Sequence, residues 1–415
     1  MAKTPNNIPH GYKATALGII PQEWEVKKVK DICSVDANSL TTKTPLTYEF
    51  EYISLSDVDS DSFEISTSHQ IFQTAPSRAR RIVKKGDVVI STVRPNLQGF
   101  FAIKEDVNDL IASTGFAVLS PISCDTQYLL LYFYSEAISK QFYSLVVGSN
   151  YPAVNSSDVA KIKIAVPPLA EQRKIAEVLG VWDKAIEKQS QLIEQLTLRK
   201  RGLMQQLLTA KRRLPGFSNP WKVHKLHKLF KERNETNRTD LPLLSITGDK
   251  GVILQTESEK RDTSNDDKSK YKRIAKGDIG YNTMRMWQGR SALSSLEGIV
   301  SPAYTIVVPN TDVDGYYMSL LFKQPRLVYD FWIHSQGLVG DTLNCKYRYF
   351  GQVRISYPSY IEQKAIANVL TAADREIELA QQKLELLRQQ KRGLMQQLLT
   401  GKKRIKNYGD SFKIY

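Results

Sequence analysis

Cysteine is scarce in this sequence. Cys33, Cys124 and Cys345 are the only three in 415 residues, too few and too far apart for a disulfide framework or a cysteine zinc site. Long apolar runs are missing as well. Nothing approaches the ~18 residues of a membrane span, and the start, MAKTPNNIPHGYKATALGII, lacks a secretory signal's apolar core and small-residue cleavage site. A cytoplasmic protein without membrane partners is expected. Catalytic signatures are also absent. No G-x-x-x-x-G-K-[ST] loop occurs, which excludes an ATP-driven translocase. Neither a glycine-rich cofactor loop nor an Asn/Asp-Pro-Pro-aromatic motif is found, and Ser218-Asn219-Pro220-Trp221 has one proline and reads as a domain boundary. Asp266-Asp267-Lys268 offers only a D-x-K fragment in a polar stretch. His224 and His227 lack a third metal ligand, and His69 and His334 read as packing or surface residues. No cofactor or metal is expected.

Acidic residues are the last shortage: 43 against 58 Lys and Arg, a net charge of +15 that suggests a polyanionic partner. The excess is unevenly placed. Residues 1–167 carry −1 and 214–358 carry +6, while the short segments 168–213 and 359–406 carry +5 each and the tail 407–415 is neutral. Hydrophobic residues at 41% and charged residues at 24% suit soluble globular domains. At ~100–200 residues per domain, the length predicts two to four folding units.

What is present is a repeat. Lys200–Thr209 and Lys391–Thr400 both read KRGLMQQLLT, 191 positions apart. At the same offset Glu171-Gln172 matches Glu362-Gln363, Asp183 matches Asp374, and Ile186-Glu187 matches Ile377-Glu378. The chain is a tandem duplication. The repeated segment has heptad spacing: Leu179, Trp182, Ile186, Gln189, Ile193, Leu196, Lys200, Leu203 and Leu207 in the first copy. The second gives Leu370, Ala373, Ile377, Ala380, Leu384, Leu387, Lys391, Leu394 and Leu398. Pro167-Pro168 and Pro358 precede proline-free stretches of about 40 residues, each predicting a helix roughly 60 Å long. The simplest arrangement is an antiparallel pair. The alternative is two separate amphipathic helices, each covering its own domain. Gly202 and Gly393 interrupt the pattern at a cost of about 0.5–1 kcal/mol each. They predict a kink or a change of packing partner, with the ends beyond meeting another protein.

The flanking halves repeat more faintly. Trp24 and Trp221 open them, and VKKGDVVISTVR (83–94) aligns with IAKGDIGYNTMR (274–285). Short β-branched and aromatic runs broken by Gly, Pro and Asp predict a curved, mostly antiparallel sheet. Helices with aromatic faces are expected at 126–146 and 314–334. The fold class is therefore α/β (α+β), with two tandem mixed α/β domains separated by two long helices. The divisions are 1–167, first domain; 168–213, first helix; 214–358, second domain; 359–406, second helix; and 407–415, tail.

Two diverged α/β domains, each followed by a near-identical helix that begins P-x(2–3)-EQ and ends RGLMQQLLT, resemble the specificity subunit of a type I restriction–modification enzyme. The resemblance covers essentially the whole chain. It implies two target recognition domains and two conserved helical regions packed as an antiparallel coiled coil. It further implies a subunit that is not itself catalytic. Such a subunit reads a split double-stranded DNA sequence, one half per domain, while its helices set the spacing and dock two adenine methyltransferase subunits, which in turn recruit restriction subunits. The whole complex carries adenine-N6 methylation and ATP-dependent cleavage. Two readings compete with this one: a non-enzymatic protein-binding scaffold, and a fused single-chain enzyme, against which the missing cofactor motifs count.

For DNA contact the candidates are the basic clusters around the K-G-D element. They are Arg78, Arg80, Arg81, Lys84, Lys85 and Arg94 in the first domain, and Lys268, Lys270, Lys272, Arg273, Lys276, Arg285 and Arg290 in the second, interleaved with Tyr271, Tyr281 and Trp287. Arginine reads guanine O6 and N7 together, whereas lysine more often holds phosphate. Arg94 and Arg285, equivalent and just past the K-G-D strand, lead the list; Asn96, Gln98 and Gln288 beside them could read adenine. Loops 148–155 and 341–348 are weaker candidates. For subunit docking the candidates are Lys200, Arg201, Leu203, Met204 and Leu207, and their copies Lys391, Arg392, Leu394, Met395 and Leu398.

Overall fold

A computed structural model describes residues 8–58, 65–145, 152–248, 250–258, 264–337, 343–408 and 411–414. The two heptad segments are unbroken helices, Leu169–Leu207 and Tyr360–Leu398. Neither is interrupted at its glycine, so the expected kink is absent. A Cβ at Gly202 or Gly393 would meet nothing within 4 Å. The chain forms two compact units whose boundaries fall inside both helices: one holds Met1–Gln189 with Lys383–Tyr415, the other Ser190–Gln382. The helices are thus not separate segments beside the domains, as the sequence division had them. Each unit takes the start of one helix, the end of the other and one globular domain.

Within each unit the helices run antiparallel, as paired contacts show. Asp183 bonds Lys391 at 2.5 Å and Glu171 bonds Arg404 at 2.8 Å in the first unit; Lys200 pairs with Asp374, and Arg213 with Glu362 at 2.6 Å, in the second. The two lysines occupy seam positions, where a polar residue fixes register.

The first globular domain contains a four-stranded antiparallel sheet in the order Cys33–Val35, Phe116–Pro121, Val88–Ser91, Phe100–Ala102. A second four-stranded sheet runs Ser68–Ile71, Glu49–Ile53, Leu110–Ser113, Ala79–Val83, and its one parallel pairing joins Leu110–Ser113 to Glu49–Ile53. The second domain repeats the first of these sheets as Phe230–Arg233, Tyr304–Pro309, Ile279–Asn282, Ser291–Leu293. In each domain an opening strand pairs with the strand that leads into the long helix: Glu25–Lys28 with Lys163–Val166, and Lys222–Lys225 with Arg354–Tyr357. The expected aromatic helices are each split in two, Thr126–Phe133 with Glu136–Leu145 and Gly315–Leu321 with Pro325–His334. In the second domain Pro325 stands at the first turn, where its missing N–H costs nothing.

The apolar end of each repeat points inward. Leu207 and Leu208 are buried in the second domain's core, with Leu203 and Met204 packed against it; Leu398 and Leu399 are buried in the first domain's core, with Leu394 and Met395 against it. This corrects the expectation that these side chains await another protein. The packing partner does change near the glycines, but the new partner is a globular domain of the same chain.

A buried latch closes each unit. Past the helix ends the chain turns through a left-handed residue, Ala210 (φ 58°) or Gly401 (φ 69°). At Gly401 a Cβ would lie 2.3 Å from Pro21 Cδ, so only glycine fits. Three residues on, Arg213 grips Glu362 through Nε at 2.6 Å and Nη2 at 2.7 Å, and Arg404 grips Glu171 through Nε at 3.1 Å and Nη2 at 2.8 Å. Trp24 Nε1, on a fully buried indole, also donates to Glu171 at 3.0 Å. Beside each glutamate a buried glutamine ties helix to domain: Gln172 accepts from Asp125 N–H at 2.8 Å and Gln363 from Asp314 N–H at 2.9 Å. Those aspartates cap the helices Thr126–Phe133 and Gly315–Leu321. Removing one partner of a buried ion pair strands the other, at a cost of about 3 kcal/mol or more. Arg404→Met should therefore lower the thermal unfolding midpoint by several degrees. Glu171→Gln, which keeps an acceptor for Trp24, should lower it less. An unchanged midpoint in Arg404→Met would contradict the latch.

Candidate nucleic-acid interface

The K-G-D element is a hydrogen-bonded turn in both halves. Gly86 (φ 89°) and Gly277 (φ 93°) take the left-handed conformation. Asp87 accepts from Lys84 N–H at 3.0 Å and Asp278 from Ala275 N–H at 2.8 Å, and Asp278 also binds Arg233 through two hydrogen bonds of 2.7 and 3.2 Å. The turn launches the buried strands Val88–Ser91 and Ile279–Asn282. Thr92 ends the first with a hydroxyl bond to Gly115 O at 2.7 Å; Thr283 ends the second against Thr305 Oγ1 at 3.1 Å. Two residues later Arg94 and Arg285 emerge, exposed, each at the head of a 3₁₀ turn, Pro95–Leu97 or Met286–Gln288. Arg94 (φ 49°) and Gln98 (φ 54°) are both left-handed, a cost of order 1 kcal/mol each for side chains other than glycine. The second turn avoids this with Arg285 at φ −128° and Gly289 closing at φ 73°.

Each arginine turn is joined by the loop that was the weaker candidate. Val154 N–H donates to Thr92 O at 2.9 Å and Arg94 N–H to Pro152 O at 2.8 Å; in the second domain Cys345 N–H donates to Thr283 O at 2.8 Å. Residues 148–151 and 341–342 of these loops lie outside the described residues. Where the loops meet the strand the halves differ. Ala153, Asn155 and Ser157 in the first correspond to Asn344, Lys346 and Arg348 in the second, and the latter three line an open groove with Lys272, Thr283 and Met284. Lys346 and Arg348 fall within the loop 341–348 that the sequence offered as a weaker candidate, but were not singled out there, because the chain places them beside Thr283 only through this long-range pairing.

The basic candidates divide by surroundings. Arg81 is bound to Asp36 at 2.7 Å, Lys85 to Asp106 at 2.6 Å, Arg273 to Glu235 at 2.8 Å and Glu297 at 2.5 Å, and Lys272 lies 3.9 Å from Glu232. Arg80 stacks on Phe72 at 4.9 Å. Donating to the Glu235 and Glu297 carboxylates raises the Arg273 pKa further above its ordinary value. Arg78, Lys84, Asn96, Lys270, Lys276, Gln288 and Arg290 are exposed, and Arg290 lies over Gly248. Trp287 is half-buried and donates to Met284 O at 3.0 Å, while Tyr271 and Tyr281 are buried.

The remaining motifs resolve into local structure. Asp267 accepts from Ser269 N–H at 2.9 Å in an exposed turn, which holds its carboxyl below the ordinary range. His224 contacts Tyr357 Oη at 3.0 Å and His227 Gly351 O at 2.8 Å, so their rings serve different partners. Burial pushes the Cys124 and Cys345 thiols up to about 12, far from a reactive thiolate. Among the described residues no group of three or more His, Cys, Asp or Glu is placed to hold a metal, and no helix is long and apolar enough to cross a membrane.

Comparison with known proteins bears on this geometry. Residues 21–198 match the type I restriction modification DNA specificity domain. The chain is 28% identical over 431 aligned positions to a protein of Methanocaldococcus jannaschii assigned as the specificity subunit of the MjaX type I restriction enzyme, covering 95% of this chain and 97% of that one. It is 29% identical over 208 residues to the MjaIX specificity subunit of the same organism, 45% of each chain. Among solved structures it is similar to a chain from a type I R-M system studied for complex assembly and conformational transition, with TM-score 0.65 and 20% identity over 92% of this chain and 99% of that one. The HsdS subunit from Thermoanaerobacter tengcongensis gives TM-score 0.53 and 20% identity over 92% and 98%.

Proposed function

Because the chain belongs to the specificity subunits of type I restriction–modification systems, we propose that it is the non-catalytic reader of a bipartite duplex target, one half-site per domain. Its long helices dock two methyltransferase subunits, and restriction subunits join through them. The complex then carries adenine-N6 methylation and ATP-dependent cleavage in the cytoplasm, with no cofactor held by this chain. The observation that carries the reading is the pair of exposed arginines, Arg94 and Arg285, delivered by equivalent buried strands into dissimilar surroundings. Two unlike readers on one duplicated scaffold suit a target with two unlike halves.

Selection of bound duplexes from a random pool, using the chain purified with its methyltransferase, tests this directly. The expected motif is two short unlike half-sites around a fixed unspecified gap. Arg94→Ala should relax one half-site and Arg285→Ala the other, each by about 1–3 kcal/mol, or roughly 10–100-fold. Arg273→Ala, whose charge is already held by two carboxylates, should change affinity far less. Equal loss at both half-sites in either arginine variant would contradict the two-reader model, and no enrichment at low salt would favour a protein-binding scaffold.

Docking falls to the outward side of the repeat, since its apolar side chains are used within the chain. Arg201 and Gln205 are exposed, as are their copies Arg392 and Gln396. Identity at exposed positions in halves that otherwise diverge fits two copies of one external partner. The double variant Arg201→Glu, Arg392→Glu should lose most co-purification with the methyltransferase while thermal stability stays within about 0.5 kcal/mol. A complex of unaltered stoichiometry would argue against this surface.

Spacing is assigned to the helices. Inserting one heptad after Gln189 and one after Gln382 adds about 10 Å to each and should lengthen the preferred gap by about three base-pair steps. An unchanged gap would remove the ruler.

A further inference from the structure

The helix Pro325–His334 buries Leu327 and Phe331 yet leaves Tyr329, Trp332 and Ile333 at 57%, 47% and 53% exposure, with the Tyr329 and Trp332 rings 5.5 Å apart. Three large apolar side chains exposed together on ten residues mark a surface that something covers. Position says what. This helix packs on the 3₁₀ turn that follows Arg285. Its Val328 abuts Gly289, the residue closing that turn, where an added Cβ would lie 3.2 Å from Val328 Cγ2. Trp332 is one helical turn beyond Val328 on the same stripe. From the same helix end the chain returns to pair Gln336 with Asn344, one residue before the Cys345 N–H that bonds Thr283.

The first domain repeats the device. Helix Glu136–Leu145 packs on the turn Pro95–Leu97 after Arg94, and Tyr143, the counterpart of Trp332, is 90% exposed. The second-domain aromatic therefore flanks a turn headed by an exposed arginine, next to a loop carrying Lys346 and Arg348. An exposed ring on a helix packed against an arginine-headed turn suits a nucleic acid, whose phosphates attract the cation and whose sugars and bases cover the ring. The cations do not suit an apolar protein partner, whose docking would desolvate them.

Resting on the DNA-reading function proposed above, we infer that Trp332, and Tyr143 in its half, are DNA-contacting residues that lay an aromatic face on the sugar–base edge of the duplex beside the arginine turn. The contact contributes affinity without charge. Aromatic side chains stack strongly on unpaired bases, and a duplex edge, which covers less of the ring, gives a smaller effect.

The test uses the complex with its methyltransferase and the duplexes recovered by pool selection. Trp332→Ala should weaken binding roughly tenfold with an unchanged salt slope, because no phosphate contact is removed, and Trp332→Phe should retain most of the affinity. Intrinsic fluorescence should fall on adding duplex to the native complex and fall less in Trp332→Phe. Tyr143→Ala should behave as Trp332→Ala does. Affinity and quenching in the Trp332 variants equal to those of the native chain would overturn the inference, as would loss of the methyltransferase instead of DNA. Failure of the native complex to bind any selected duplex would instead overturn the function on which the inference rests.

Discussion

Two buried carboxylates, Glu171 and Glu362, decide how this chain closes. Each sits in the first turn of a long helix and takes a two-nitrogen grip from an arginine that follows the other long helix, Arg404 or Arg213. A carboxylate so buried is tolerable only with a cation and further donors to compensate for lost water. The domain start supplies part of that through Trp24 in the first unit, while in the second Arg213 itself lies 5.8 Å from the Trp221 ring. The pairing is crossed: the end of the first helix belongs with the second domain, and the end of the second helix with the first. Without the latch, the buried leucines at each helix end would lack the polar anchor that holds them on the domain core.

The same economy governs the surface that would meet DNA. A loop that reads bases must hold its side chains still, and the arginine turns leave buried strands that fix where they start. Val88–Ser91 is buried along its whole length and lies between two partners, so Arg94 departs from a fixed point. The strained backbone at Arg94 and Gln98 is affordable only because Pro95 is buried and the loop at Pro152 bonds the Arg94 amide. In the second domain glycine at 289 removes one of those strains, and the domain spends its divergence on Asn344, Lys346 and Arg348 instead.

Much of this was legible in the residues, for reasons that can be named. The 191-residue offset exposed the duplication, and the heptad seam foretold both helices: its positions are buried or half-buried throughout, including Gln189 and Ala380. Charge alternation predicted nothing of the latch. Arg213 and Arg404 were counted among the ten surplus charges of the two short segments, and only long-range folding shows them neutralised by glutamates 149 and 233 positions away. The inward direction of Leu207 and Leu398 was missed for the same reason, since a heptad pattern states that a face is covered and not by what. Arg81 and Arg273 entered the basic clusters by proximity in sequence, but strands put Asp36 and Glu235 beside them.

Those neutralised cations change the meaning of the net charge. Two acidic residues of the first domain are taken up by cations of the basic cluster. Asp36 and Asp106 hold Arg81 and Lys85, while Arg78, Lys84 and Arg94 remain exposed. A net charge of −1 over the whole domain therefore says little about the charge along the one edge where Arg78, Lys84 and Arg94 are exposed. Because counterion release counts local phosphate contacts and not the protein's total charge, the two halves need not differ in non-specific affinity by anything like the difference in their formal charge. What separates them is the chemistry at the strand end, alanine and serine in one and asparagine and arginine in the other, and under the proposed function that difference would bear on which bases each half reads.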